Sequence, residues 1–119
     1  MMWKSDYTYA AKIVRVIDGD SVVLFVDCGF KTFRKITARL LGINAPETRG
    51  PERPLGLSSE SHLRKLIAGQ KQIVVRTHRD KTGKYGRWLV ELIGYDADEE
   101  PLNLNEQMVR DGHAVVYTG

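Results

Sequence analysis

Cysteine is nearly absent: Cys28 stands alone, which excludes an internal disulfide and a paired-thiolate zinc centre and leaves the expectation of a small, partly buried thiol. Also missing is any run near the ~18 consecutive apolar residues of a membrane span. The opening "MMWKSDYTYA" has neither the basic n-region nor the apolar h-region of an export signal. The expectation is a soluble, unexported, cytoplasmic chain with no membrane partner. No repeat, low-complexity tract or linker interrupts the sequence, so its 119 residues, 42% of them hydrophobic, read as one domain over 1–119 with residues 1–9 a candidate flexible lead-in. There is no "GKS" phosphate loop and no "GxSxG" elbow, and His62, His78 and His113 are isolated from any nucleophile.

What is present is uneven charge and a regular alternation of strand signals. Residues 71–88 carry Lys71, Arg76, Arg79, Lys81, Lys84 and Arg87 against Asp80 alone, while 95–111 carry Asp96, Asp98, Glu99, Glu100, Glu106 and Asp111 against Arg110 alone. A basic face suits a phosphate-bearing partner, although a solvated hairpin would show the same charges. "AAKIVRVI" and "SVVLFVDC" are rich in β-branched residues and flank the turn "DGD". A third strand is expected from about Lys35 to Ile43, ended by Pro46.

"TRGPERPLG" reads as a loop, followed by a helix over "SSESHLRKLIAG" in which Ser59, Leu63, Leu66 and Ile67 recur at helical spacing and Gly69 suits the stop. "QIVVRTH" and "GRWLVELIGY" are two more strands around the basic loop "RDKTGKY". "LNLNEQMVRDG" follows as a short helix, with Asn103 placed to cap and Gly112 to stop it. Five strands, a helix after the third and a short C-terminal helix match a mainly β, α+β fold: the five-stranded Greek-key barrel of oligonucleotide-binding proteins, the OB-fold. Fold alone implies binding and not catalysis.

Three segments carry groups able to do chemistry. In "IDGDSV", Asp18 and Asp20 flank Gly19, and two carboxylates on one tight turn repel unless a cation or donors compensate; Asp and Gly are also ordinary turn residues. "NAPE" adds the neutral oxygen of Asn44 and the carboxylate of Glu47 on a loop stiffened by Pro46. Oxygen-only donors suit a hard cation such as calcium or magnesium. "KYGR" supplies Lys84, Tyr85 and Arg87; a guanidinium grips phosphate through paired hydrogen bonds, and Arg39 on the third strand is a second candidate clamp. Trp3, Trp88 and the tyrosines could stack bases, Tyr117 being the best placed.

"VIDGDSV", "RLLGINAPET" and "KYGR", in that order, together with "LNLNEQMVRDGHA", resemble the staphylococcal nuclease-like (thermonuclease-like) family over about residues 11–116. The resemblance implies the same OB-fold barrel and cation-dependent hydrolysis of phosphodiester bonds in DNA and/or RNA, with single strands or frayed ends favoured and a monomeric protein. It puts Asp20, Asn44 and the backbone carbonyl of Ala45 at calcium-ligand positions, Asn44 standing where the family has an aspartate. Glu47 falls at the position that orients or deprotonates water beside the cation. Arg39 and Arg87 take the places of the arginines on the scissile phosphate, and Lys84 and Tyr85 those of residues on a neighbouring phosphate. Ca2+ is the implied cofactor, with Mg2+ or Mn2+ as alternatives given Asn44. The rival reading is a non-catalytic module using the barrel to bind nucleic acid or protein.

Overall fold

A computed structural model describes residues 7–78 and 88–118. Strands β1 (Tyr7–Asp18), β2 (Ser21–Asp27) and β3 (Phe33–Leu40) form an antiparallel meander. A two-residue strand β4 (Ile43–Asn44), a 3-10 turn (Gly50–Glu52) and helix α1 (Arg53–Ala68) lead to β5 (Gln72–His78) and β6 (Trp88–Tyr95). A short β7 (Pro101–Asn103), helix α2 (Leu104–Arg110) and β8 (Val115–Val116) complete the order.

The sheet runs β3-β2-β1-β5-β6, and β3 pairs in parallel with β6 through Ala38↔Trp88 to Leu40↔Val90, closing a five-stranded barrel. Closure leaves the five strands no free edges, the main hazard of a small sheet. β1 bends into the closure at a register shift between Ile13 and Arg15, with the intervening Val14 turned outward and 48% exposed.

Alternation along β2 sends Val22, Leu24 and Val26 inward, where they meet Leu40, Val75, Val90 and Leu92 in one core. From α1, Ser59 and Leu63 are buried and Leu66 and Ile67 pack beside them; from α2, Leu104 and Met108 seal the barrel. Asn103 caps α2 by accepting from the Glu106 N–H at 3.1 Å, as its spacing from Glu106 suggests. No described helix is long and apolar enough to cross a membrane.

Several boundaries differ from those read in the sequence. β3 ends at Leu40, where the chain turns through Gly42 at φ +82°, rather than running to Ile43 and Pro46. α1 starts at Arg53, inside the stretch read as a loop, because a proline in a helix's first turn gives up an N–H that has no partner there anyway. Residues 7–9 belong to β1 rather than to a lead-in, and 1–6 lie outside the described residues. Cys28 is exposed rather than partly buried.

The β2–β3 connection is unusual. Thr32 N–H donates to Gly29 O at 2.8 Å across a turn whose central residues, Phe30 and Lys31, both have positive φ (55° and 59°). Such turns favour Asn-Gly, and each left-handed L-residue costs about 1–2 kcal/mol.

Candidate functional site

The site is built where three exits meet: the β1–β2 turn, the end of β3 and the loop after β4. Gly19 allows the first of these to approach the others. A Cβ there would lie 2.8 Å from Ser59 Cβ and 2.9 Å from Ala45 Cβ, too close for any side chain.

On either side of Gly19 the two carboxylates find separate partners on one loop, which answers the repulsion expected of "DGD". Asp20, 7% exposed, accepts from the Ala45 N–H through Oδ2 (2.9 Å) and from Ser21 Oγ through Oδ1 (3.1 Å). Asp18 Oδ1 accepts from Thr48 Oγ1 at 2.9 Å. The segment 44–48 is therefore pinned at both ends, and Glu47 projects from between the pins. Glu47 is exposed, and among the described residues its carboxylate has no partner.

Arg39 points from the outer side of β3 into this cluster. Its Nη2 donates to Asn44 Oδ1 at 3.2 Å and lies 3.8 Å from Asp20 Oδ2, while its guanidinium sits 4.9 Å from the centroid of the Tyr117 ring. Tyr117 is placed by β8, which pairs with β4 through Ile43↔Val116 and Asn44↔Val115, and by its own N–H on Gly42 O at 2.8 Å. The structure thus brings Asp20, Arg39, Asn44, Ala45 and Tyr117 together, with Glu47 on the same loop. Lys84, Tyr85 and Arg87 lie outside the described residues. Arg49 and Arg53 are exposed nearby, Arg53 at the head of α1.

The donors here, Asp20, Asn44 and the Ala45 carbonyl with Glu47 beyond them, are all oxygen and match a hard divalent cation in kind. Among the described residues no three His, Cys, Asp or Glu side chains gather into a metal cage. A cleft of about 400 Å³ adjoins, lined by Asn44, Pro46, Glu52, Leu55, His113 and Val115.

Several positioning residues escaped the sequence reading. Gly56, in the second turn of α1, lies directly against the Glu47 carbonyl, and a Cβ there would overlap it and come within 2.8 Å of the Thr48 nitrogen. Asn105 is buried and saturated: Nδ2 donates to Leu41 O and Val90 O (both 3.0 Å), and Oδ1 accepts from the Leu92 N–H (3.1 Å). It thereby ties α2 to the turn just beyond Arg39.

At the opposite end of α2, His62 Nε2 donates to Asp111 Oδ2 at 2.7 Å, and the His113 ring stacks on His62 at 4.1 Å. Ser59 Oγ donates to the His113 carbonyl at 2.7 Å. The hydrogen bond from His62, helped by one from Gln107, holds the Asp111 carboxyl below the ordinary carboxylate range. These contacts join α1 to the segment that carries β8 and Tyr117. No sequence motif signals them, because each partner is dozens of residues away.

A closed five-stranded barrel with a guanidinium held between carboxylate and amide at its rim defines the class: an OB-fold. The family described as "Staphylococcal nuclease homologue" matches residues 37–119, and the chain belongs to that nuclease-like family. It is 31% identical over 116 residues to the thermonuclease of Staphylococcus hyicus, and 26% identical over 129 aligned positions to an uncharacterized protein of Methanocaldococcus jannaschii. Each match covers 92% of this chain but 59% of the relative, so the chain spans about three fifths of their length.

Proposed function

We propose that the protein hydrolyses phosphodiester bonds of DNA and/or RNA, with Arg39 and Arg87 on the scissile phosphate, Glu47 orienting and deprotonating water, and Lys84, Tyr85 and Tyr117 on neighbouring nucleotide groups. The observation that carries this reading is the Arg39 guanidinium, held by Asn44 and set over the Tyr117 ring, while the loop that carries Asn44 also carries Glu47, whose carboxylate has no partner among the described residues.

A phosphodiester anion repels hydroxide, so hydrolysis needs charge neutralised before attack and stabilised as it grows. Arg39 supplies two N–H groups in a plane to phosphate oxygens. Its resting contacts are with a neutral amide and with a carboxylate at 3.8 Å, which leaves donors for substrate. The relative's name, thermonuclease, supports a nuclease reading. A divalent cation, Ca2+ first with Mg2+ or Mn2+ as alternatives, would be held by Asp20, Asn44 and the Ala45 carbonyl, with Glu47 reached through water. When bound it supplies positive charge to the phosphate. A cytoplasmic monomer acting on single strands or frayed ends completes the proposal.

A second reading, a non-catalytic binding module, draws on the same contacts: both Asp20 oxygens and the Asn44 oxygen already have protein partners. Cleavage of a labelled single strand separates the two when measured against Ca2+, Mg2+, Mn2+ and chelator, for wild type and Asn44→Asp. The added charge should lower the cation concentration for half-maximal rate by about tenfold or more, since ligand charge count tunes affinity. Absence of cleavage under every ion, with binding retained, establishes the module instead.

A further inference from the structure

On the outer face of the barrel, farther down the hairpin from Arg39, β1, β2 and β3 set a row of side chains that the catalytic proposal does not use. Lys12 pairs with Phe25, and Phe25 with Lys35, in cross-strand register, so a phenyl ring stands between two ammonium groups on one face. Phe33, two residues from Lys35, stacks on Phe25 with centroids 5.2 Å apart and planes within 5°. Both rings remain open to solvent, Phe25 at 41% and Phe33 at 51%.

A cleft of about 540 Å³ lies against them, with Lys12, Lys71, Ile67 and Gln70 also on its walls. Phe30, at the tip of the same hairpin in its left-handed turn, is fully exposed. The carboxylate facing this row, Asp27, is already engaged with the Gly29 N–H at 2.9 Å.

We propose that this face is a second subsite for single-stranded nucleic acid, in which a base stacks on the Phe25–Phe33 pair and Lys12 and Lys35 hold the flanking phosphates. The inference rests on the nucleic-acid reading of the protein and extends it to a longer substrate. Exposed aromatic rings with flanking cations are what a stacking platform for a polyanion requires, because each base offers a π-face whatever its identity.

The register from Ser21↔Arg39 to Asp27↔Phe33 is unbroken, so Arg39, Thr37, Lys35 and Phe33 fall on one face, spanning about 20 Å along the strand. A strand gripped at Arg39 can therefore continue down the hairpin. A second copy of the protein fits less well, since it would set a lysine-flanked row against its own like charges.

The test uses Glu47→Gln as the parent, so that substrate survives, and measures Kd by anisotropy for fluorescein-labelled dithymidylate and dodecathymidylate. The readout is the ratio of the two constants. The doubly substituted Phe25→Ser, Phe33→Ser variant should weaken dodecamer binding on the order of tenfold while moving the dimer much less. Circular dichroism checks its fold, which exposed positions should preserve. Lys12→Gln with Lys35→Gln should reduce the slope of log affinity against log salt by about 1.4, at roughly 0.7 per single-strand phosphate contact.

An unchanged dodecamer Kd in the phenylalanine variant overturns the subsite while leaving the function standing. A parent that sediments as a dimer, and that this variant dissociates, overturns it in favour of self-association. Failure of the parent to bind either oligonucleotide overturns the nucleic-acid reading and the subsite with it.

Discussion

Gly56→Ala sets two opposed effects against each other. Within a helix, alanine is favoured over glycine by about 0.5–1 kcal/mol, so propensity alone makes the variant more stable. The surroundings reverse the sign: the new methyl would meet the Glu47 carbonyl and lie 2.8 Å from the Thr48 nitrogen, and both are backbone atoms that cannot swing aside. Segment 44–48 is fastened by Asp20 at Ala45 and by Asp18 at Thr48, so relief requires α1 and the loop to part by roughly 1 Å.

Overpacking of that kind costs about 1–3 kcal/mol, leaving a net loss centred at ~1 kcal/mol and reaching at most ~2.5 kcal/mol. Because the displaced peptide is the one that carries Glu47, cleavage should fall by about 10²-fold. Urea unfolding and kcat/KM on a labelled single strand read the two effects. Gly69→Ala is the control, since a Cβ there meets nothing closer than 3.6 Å and its φ of −78° is open to alanine. If Gly56→Ala proves as stable and as active as Gly69→Ala, the account of how Glu47 is positioned is wrong.

Two further perturbations test the supports of the site. Asn105→Ala takes the side-chain partner from the Leu41 carbonyl and the Leu92 N–H, while Val90 O keeps the Leu41 N–H at 2.9 Å, and urea unfolding should show a loss of about 2 kcal/mol or more; a loss under 1 kcal/mol would mean that water replaces the side chain freely. Asp111 has a folded-state pKa below its unfolded value, so its interaction stabilises the protein fully above the unfolded value and is lost as pH falls through the folded one. Asp111→Asn should therefore unfold more easily than wild type at pH 6, with the difference closing beneath about pH 4. A gap that persists into acid would assign the stabilisation to something other than the carboxylate charge.

The five barrel strands were readable because each is declared locally, by β-branched runs and by turns such as "DGD". α2 was readable through Asn103 and Gly112. The start of α1 was not, because Pro51, Pro54 and Gly56 together look like loop chemistry. The two prolines fall in the 3-10 turn and the first turn of α1, and Gly56 answers to Glu47, nine residues away, rather than to its helical neighbours. β4, β7 and β8 are too short to show any periodicity, yet β8 is what brings Tyr117 to Arg39.

For the site, motif order placed Asp20, Arg39 and Asn44 in a shared neighbourhood, and the folded chain joins them by contacts of 3.2 and 3.8 Å. What motif order could not convey is that Asp20 fastens the Ala45 N–H, or that Asn105, Ser59 and the His62–Asp111 pair hold the frame. Those contacts bridge 25 to 64 residues of sequence where they reach the rim, and only the closed barrel makes them neighbours.

The most direct test of the central claim is single-turnover cleavage of a 5′-labelled single strand by wild type and Glu47→Gln at matched occupancy, with affinity measured in parallel. Glu47→Gln keeps the side chain's shape and removes its basicity, so binding should persist while the cleavage rate drops by about 10²–10⁴-fold. Equal rates for the two proteins would contradict the assignment of Glu47 and, with it, the proposed chemistry of the site.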